Sequence, residues 1–317
     1  MMNKLTEIAD YLKENNNYAI LPHKNPDGDC LGSSTALFLA LKSIGKNVRI
    51  VLPSPVNERL SFLWDDSFSE GNFEVETVIC IDVASFGMMG DMYEQIFTSA
   101  PASICIDHHG TNEGYAGLNY VDSSSAATGE IIFDLICLMG LKFDSDIAQR
   151  LLVAIADDTG CFQYSNTTFR THEVASELYK HDIDSRSIMN RLYNFHKKSE
   201  IEILKILLRN IEYYCGGKVC MTHITHEDVV TCGGDFSQAD AWISLMRSAE
   251  NVEVGMLFKV HSESEVKVSL RSNEYVDVAE VAHTFGGGGH VRAAGVTFSE
   301  NWNDAKSKLI KKLEKLV

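Results

Sequence analysis

The sequence lacks an apolar run that could cross a bilayer. No stretch of its 317 residues approaches the roughly 18–20 unbroken apolar residues that a transmembrane helix needs. Residues 1–17 also lack the apolar core and the small-residue cleavage site of a signal peptide. We therefore expect no membrane contact and a cytoplasmic location.

Paired cysteines and an excess of basic residues are also missing. The eight cysteines contain no C-x-x-C pair and are spread over the chain, which disfavours a disulfide framework or a zinc knuckle and predicts reduced, packed thiols. With 28 Lys and Arg against 44 Asp and Glu, the net charge is −16. Binding along a long nucleic acid needs the opposite balance, so long duplexes are disfavoured as partners. Small anionic substrates stay open, because a local site can hold a phosphate on an acidic protein.

Short apolar segments alternate with amphipathic ones in the first half of the chain. This pattern predicts an α/β fold with a mostly parallel sheet covered by helices. The predicted strands are 18–22, 47–53, 77–82 and 102–107, and the predicted helices are 31–44, 89–97, 126–139, 145–156, 171–179 and 198–214. Strand-like segments at 218–224, 252–260 and 266–271, with a glycine-rich loop at 285–290, predict a second, smaller α/β domain.

Acidic and imidazole side chains follow three of the predicted strands. They lie in the loop HKNPDGDCLGS (23–33), at Asp82 and in the segment DHH (107–109), and a further acidic pair stands at 157–158. Because the carboxyl ends of parallel strands meet at one edge of a sheet, we expect these segments to meet in one crevice. Several carboxylates in one crevice cannot all ionise unless cations compensate them. The segments therefore predict two divalent metal ions, and donors without thiolates favour Mn²⁺ or Mg²⁺ over structural Zn²⁺.

These segments resemble the DHH phosphoesterase superfamily with its DHH-associated C-terminal domain. The same order of motifs continues with DTG (158–160), GGGGH (286–290) and AAG (293–295). The length of the chain and the residues of its motifs are most similar to those of the bacterial nanoRNase and 3'-phosphoadenosine-5'-phosphate (pAp) phosphatase group. The resemblance implies an exoribonuclease that hydrolyses short oligoribonucleotides to mononucleotides, removes the 3'-phosphate of pAp, or does both. The alternative is a phosphodiesterase for cyclic or linear dinucleotides such as cyclic di-AMP, pApA or pGpG.

The resemblance also implies roles for individual residues. The implied metal ligands are His23, Asp27, Asp29, Asp82, His108 and Asp158, with Asp82 bridging two ions that are expected to be Mn²⁺, with Mg²⁺ or Co²⁺ as alternatives. The implied catalytic residues are Asp82, His108 and His109, and His109 faces the substrate phosphate as a hydrogen-bond donor or general acid. Asp107 is expected to orient a ligand imidazole through its other ring nitrogen.

The C-terminal motif implies phosphate binding. The expected substrate-binding residues there are Arg271, Gly288, Gly289 and His290, since a glycine run lets backbone N–H groups approach an anion. The implied organisation is a catalytic domain (1–195), a linker helix (196–215) and a substrate-binding domain (216–317). Short RNA or small nucleotides are the expected partners, and relatives commonly form homodimers.

One departure from the family pattern concerns the segment after Asp82. Relatives often have an Arg a few residues further on, whereas this chain has DVASFGM over residues 82–88. This segment is therefore not expected to make the substrate or packing contact of that Arg. Three other residues near the motifs, Cys30, Phe162 and Tyr164, are predicted to be packed side chains rather than ligands or base-binding groups.

Overall fold

The computed structural model describes residues 2–89 and 91–317, and for residues 91 and 92 it describes the backbone alone. The chain divides into two compact units, Met1–Phe195 and His196–Val317. Within the described ranges, no helix is long and apolar enough to pass through a membrane.

A parallel sheet forms the centre of the first unit. Its described strands are β1 (Tyr18–Pro22), β2 (Val48–Ile50), β3 (Thr77–Ile81), β4 (Ala102–Asp107) and β5 (Leu118–Val121). They lie in the order β2-β1-β3-β4-β5, and every neighbouring pair is parallel, which confirms the predicted sheet. β2 is shorter than predicted, since it ends at Ile50, three residues before Pro53. β5 is absent from the predicted strands.

Helices pack on both faces of this sheet. They are α1 (Leu5–Glu14), α2 (Gly28–Ser43), α3 (Asp91–Ser99), α4 (Thr128–Leu138), α5 (Ser145–Asp158), α6 (Phe169–Leu178) and α7 (Ser185–Met189). Alternate residues of β3 point to opposite sides: Ile79 and Ile81 belong to the larger core with α2 and α5, whereas Val78 and Cys80 belong to a smaller core with α3. This alternation follows from the two-residue period of a strand.

The helices α2 and α5 approach each other closely in the larger core. A Cβ atom on Gly32 of α2 would lie 2.5 Å from the carbonyl oxygen of Arg150 in α5, so only glycine permits this packing. At the start of α2, Asp27 caps the helix by accepting the N–H of Cys30 at 3.0 Å. The close packing brings the beginning of α2 next to the end of α5.

The second unit contains a mixed sheet. Its described strands are β6 (Glu212–Tyr214), β7 (Val219–Thr225), β8 (Val254–Ser262), β9 (Glu265–Ser272), β10 (Gly288–His290) and β11 (Ala293–Phe298). The order is β10-β11-β9-β8-β7-β6, and β7 and β8 form the parallel pair among antiparallel neighbours. The helices of this unit are α8 (Lys198–Arg209), α9 (His226–Thr231), α10 (Phe236–Asp240), α11 (Ile243–Arg247), α12 (Val278–His283) and α13 (Trp302–Leu313).

The helix predicted over residues 198–214 is wrong in its last part. Helix α8 ends at Arg209, and the three residues of β6 pair with β7 instead. Cys215, Gly216 and Gly217 have φ values of 53°, 64° and 90°, so the glycines close a hairpin rather than a helix. The segment 196–215, predicted as a linker, thus contains α8 and β6, and α8 contributes to a core of the second unit.

Glu253 is a buried carboxylate that holds the turn after β9. It accepts the backbone N–H groups of Glu274, Tyr275 and Val276 at 2.8 to 3.2 Å. We expect Glu253→Ala to lower the free energy of unfolding by about 2–4 kcal/mol, because these donors lose their acceptor. Urea denaturation followed by circular dichroism measures this. Glu274→Ala, which removes an exposed carboxylate from the same turn, is the control, and equal losses in both variants would contradict the role of Glu253.

Candidate metal centre

The side chains singled out in the sequence lie at the carboxyl-terminal edge of the parallel sheet. His23 follows β1, Asp82 follows β3 and His108 follows β4. Asp27 caps the helix that leaves this edge, and Asp158 is the last residue of α5. Since β1, β3 and β4 are neighbours in the sheet, their ends bring the three loops together as the sequence predicts.

Two groups of side chains share Asp82. In the first, Nε2 of His23 lies 3.7 Å from Oδ1 of Asp27 and 3.7 Å from Oδ2 of Asp82. In the second, Nε2 of His108 lies 3.7 Å from Oδ1 of Asp82 and 3.0 Å from Oδ2 of Asp158. The two oxygens of Asp82 therefore face two different imidazoles.

Asp29 is fully buried and is held by the start of α4. Its Oδ1 accepts the hydroxyl of Ser33 at 3.0 Å and the N–H of Gly129 at 2.9 Å, and its Oδ2 accepts the N–H of Thr128 at 2.6 Å. The same Oδ2 lies 3.9 Å from Nε2 of His108. A helix N-terminus favours negative charge, so α4 stabilises this carboxylate where water cannot reach it.

Thr128 is a site residue that the sequence did not reveal. Its hydroxyl donates to Oδ1 of Asp82 at 2.9 Å, while its backbone N–H donates to Asp29. One residue thus orients two carboxylates that come from different loops. Its position at the start of an apolar helix signals an unpaired N–H, but the sequence does not say which carboxylate that N–H meets.

Burial and mutual repulsion perturb these carboxylates. Burial, followed by the charges of Asp82 and Asp158, raises the pKa of Asp29 well above its usual range. Burial and the charge of Asp27 raise the pKa of Asp82 to about 6. Such a cluster holds several ionised carboxylates only when positive charge is present among them.

The donor atoms are close enough to share metal ions. Within the described residues, three groups have ligand atoms that all lie within 4.8 Å of one another: His23, Cys30 and Asp82; Asp82, His108 and His109; and Asp29, His108 and Asp158. Carboxylate oxygens and imidazole nitrogens are suitable ligands for divalent cations such as Mn²⁺ and Mg²⁺. The residues present therefore fit a divalent metal centre.

Cys30 is the exception among these donors. Its Sγ donates to the carbonyl of Ile81 at 3.3 Å and accepts the N–H of His23 at 3.2 Å. Burial raises the pKa of the thiol well above its usual range, whereas a metal bond needs the thiolate. Cys30 is a packed thiol, as the sequence predicts.

Asp107 contacts a different imidazole from the expected one. Its Oδ1 lies 2.8 Å from Nδ1 of His109, and its Oδ2 accepts the side-chain N–H of Asn112 at 2.7 Å. Nδ1 of His108 instead faces the carbonyl oxygen of Ser125 at 3.3 Å. The hydrogen bond to Asp107 raises the pKa of His109, which favours its protonated form. Because Nδ1 of His109 is engaged and the ring is partly exposed, Nε2 is the nitrogen available to a ligand.

The neighbours Asp157 and Asp158 point to different partners. Asp158 faces His108, whereas Oδ2 of Asp157 accepts the N–H of Gly28 at 2.7 Å. Oδ1 of Asp157 lies 3.3 Å from Nη2 of Arg59. Asp157 therefore fixes the backbone of the first acidic loop rather than joining the imidazole groups.

Two of the expected phosphate-binding residues of the second unit, His290 and Arg271, lie in one row of the sheet. His290 pairs with Ala293, and Ala293 pairs with Arg271, so His290 and Arg271 flank a small residue on the same face. Gly288 and Gly289 form β10 with His290, so this half of the predicted loop is an edge strand. The glycines have a packing role as well: a Cβ on Gly289 would lie 2.5 Å from the carbonyl oxygen of Ala293.

Comparisons with known proteins identify the family of this chain. The models described as DHH family, N-terminal domain, and DHHA1 domain match residues 17–155 and 226–317. A Thermus thermophilus protein named bifunctional oligoribonuclease and PAP phosphatase NrnA is 33% identical over 93% of this chain and 88% of its own length. The Bacillus subtilis protein of that name is 26% identical over 93% of this chain and 92% of its own.

A solved structure shows the same fold over nearly the whole chain. An exopolyphosphatase-related protein from Bacteroides fragilis matches with a TM-score of 0.89 at 23% identity, covering 98% of this chain and 96% of that one. His23, Asp27, Asp29, Asp82 and His108 lie within the first matched range and the glycine-rich edge strand within the second, whereas Asp158 lies three residues beyond the first. The chain belongs to the DHH phosphoesterase family, which confirms the resemblance stated from the sequence.

Gly28 offers a test of how the acidic loop is held. A Cβ at this position would lie 2.6 Å from side-chain carbons of Asp157, so Gly28→Ala must displace that carboxylate. We expect metal-stripped Gly28→Ala to bind Mn²⁺ about tenfold more weakly, the effect typical of lost support for metal ligands. Isothermal titration calorimetry measures it. Gly87→Ala is the control, since its Cβ would lie 3.9 Å from the nearest atom, and equal affinity in both variants would contradict this account.

Proposed function

We propose that the protein is a metal-dependent phosphoesterase that hydrolyses short oligoribonucleotides to mononucleotides and removes the 3'-phosphate of pAp. The observation that carries the proposal is Asp82, whose two oxygens face two imidazole–carboxylate groups. A relative named for these two activities is similar over nearly the full length of both chains. Every ligand position that the family resemblance implies is occupied by a carboxylate or an imidazole.

The proposed ligands form two sets. His23, Asp27 and Asp82 hold one ion, and the second ion is held by Asp29, Asp82, His108 and Asp158. Mn²⁺ is the proposed metal, and Mg²⁺ or Co²⁺ can replace it because the donors are oxygen and nitrogen atoms. When bound, two such metal ions lower the pKa of a water molecule and stabilise negative charge on a phosphoryl group.

The protein's own side chains orient the reacting groups. Asp107 keeps a proton on Nδ1 of His109 and leaves Nε2 to donate to a phosphate oxygen. Thr128 keeps one oxygen of Asp82 directed towards His108, since its hydroxyl bonds that oxygen. Protonated His109 stabilises the negative charge that develops on the phosphate as the ester bond breaks.

The second unit contributes phosphate recognition in this proposal. Arg271 binds a terminal phosphate through its guanidinium, and Gly288, Gly289 and His290 supply further donors. Residues 1–195 are then the catalytic domain and 216–317 the substrate-binding domain. The net charge of −16 supports short substrates, because long nucleic acids are repelled. A cytoplasmic location and a homodimer complete the proposal.

A substrate panel tests the proposed activity. We expect metal-stripped protein to be inactive and Mn²⁺ to restore hydrolysis of pAp and of a 5'-phosphorylated dinucleotide, with much lower kcat/KM for a long RNA, cyclic di-AMP and pyrophosphate. Asp82→Asn should lower kcat on every substrate by about a thousandfold, since both groups lose their shared carboxylate. Asp146→Asn, an exposed change on α5, is the control. Faster hydrolysis of cyclic di-AMP than of pAp or the dinucleotide would favour the alternative function.

Arg271 is expected to act on binding rather than on chemistry. Arg271→Ala should raise KM about tenfold for substrates with a terminal phosphate, because one charge-assisted contact is lost, and should leave kcat nearly unchanged. The control is Lys267→Ala, which removes an exposed cation from the same face of β9. Cyclic di-AMP has no terminal phosphate. If Arg271→Ala lowered kcat/KM for cyclic di-AMP as much as for substrates with a terminal phosphate, the role of Arg271 would be contradicted.

A further inference from the structure

Arg59 is a basic side chain placed beside the acidic loop. It lies in the turn Glu58–Leu63, and its Nη2 is 3.3 Å from Oδ1 of Asp157, whose other oxygen holds the N–H of Gly28. The arginine side chain is 46% exposed, and in the part of the chain that the structure describes this is the one acceptor bonded to its guanidinium. The remaining N–H donors are therefore open to a ligand that reaches the metal loop.

Tyr164 is an exposed aromatic ring next to the end of α5. The sequence predicts a packed side chain here, but 56% of Tyr164 is exposed, which corrects that prediction. Its ring carbons lie 2.4 to 2.7 Å from where a Cβ on Gly160 would be, so the ring covers the backbone two residues beyond Asp158. Phe162, by contrast, packs against the core.

An unusual backbone conformation places this ring. Gly160, Cys161 and Phe162 have φ values of 54°, 57° and 64°, so three consecutive residues are left-handed. For residues other than glycine, this conformation costs about 1–2 kcal/mol each. Thr159 holds the turn, because its hydroxyl accepts the N–H of Phe162 at 3.0 Å and its carbonyl accepts the N–H of Tyr164 at 2.9 Å. Strain of this kind is typical of functional sites, where it directs a side chain.

Arg59 and Tyr164 both lie at the C-terminal end of α5. Arg59 is bonded to Asp157, and the ring of Tyr164 covers Gly160, two residues beyond Asp158. The cation and the exposed ring thus lie close to the last carboxylates of α5. A guanidinium and an aromatic face are the two groups that bind the phosphate and the base of a single-stranded nucleotide.

We propose that Arg59 and Tyr164 form a nucleotide subsite beside the metal centre, which takes a nucleotide that an oligonucleotide has and pAp lacks. Tyr164 stacks on its base and Arg59 binds its phosphate. The subsite rests on the proposed function and deepens it, because it sets the preference for oligonucleotides over mononucleotides. Because every base can stack on an aromatic ring, this subsite accepts any base. Arg59 thereby supplies a cation beside the metal centre, although the Arg that relatives often have a few residues after Asp82 is missing here.

The test compares two substrates in the same full-length protein with Mn²⁺. We expect Arg59→Ala and Tyr164→Ala to lower kcat/KM for 5'-phosphorylated diadenylate about tenfold more than for pAp, the size expected for one lost base or phosphate contact. Tyr164→Phe, which keeps the ring, should retain the ratio of wild type. Arg170→Ala and Tyr179→Ala are matched controls, since that arginine is 44% exposed and also pairs with a carboxylate, and that tyrosine is 50% exposed.

The outcomes separate the subsite from the proposed function. If wild type hydrolyses neither diadenylate nor pAp, the proposed function fails, and the subsite fails with it. If wild type hydrolyses both substrates but Arg59→Ala and Tyr164→Ala lower both activities equally, the two residues act only by supporting the metal centre, and the subsite is overturned. A changed ratio with unchanged Mn²⁺ affinity supports it.

Discussion

Repulsion among clustered carboxylates is the constraint on which the site depends. Asp27 and Asp29 come from one loop, Asp82 from the end of β3 and Asp158 from the end of α5, yet the parallel sheet brings them to one edge. Without positive charge between them, the fold would have to keep some of them protonated. The imidazoles of His23 and His108 lie within 4 Å of these carboxylates and complete a donor set for cations. Folding and metal binding are thus linked, because the arrangement is favourable when cations occupy it.

The supporting hydrogen bonds show how the repulsion is tolerated. Neutral donors hold three of these carboxylates: the start of α4 bonds Asp29, the hydroxyl of Thr128 bonds Asp82, and the start of α2 bonds Asp27. Asp82 itself has a φ of 60°, a conformation that Asp adopts more readily than most residues. These contacts fix the directions of the oxygens before any ligand arrives, so little reorganisation is needed on binding.

The sequence predicted the parts of this site that depend on strand order. Residues at the ends of β1, β3 and β4 could be placed together because parallel strands end at one edge. It did not predict contacts that depend on packing between distant segments, such as Thr128 with Asp82 or Gly28 with Asp157. Two imidazoles follow Asp107 directly, and their order in the sequence does not show that Asp107 bonds the second, His109. The β6 hairpin was missed because an amphipathic pattern continued past the end of α8.

The contact at Gly32 has a consequence for the spacing of the proposed ion pair. Asp29 lies near the start of α2 and Asp158 ends α5, and the separation of these helices is set where the backbone of α5 touches that glycine. The distance between Asp29 and Asp158 therefore depends on a helix contact that is remote from both carboxylates. Substitutions between α2 and α5 would then change the spacing of the ligands, and with it the preferred cation, without replacing any ligand.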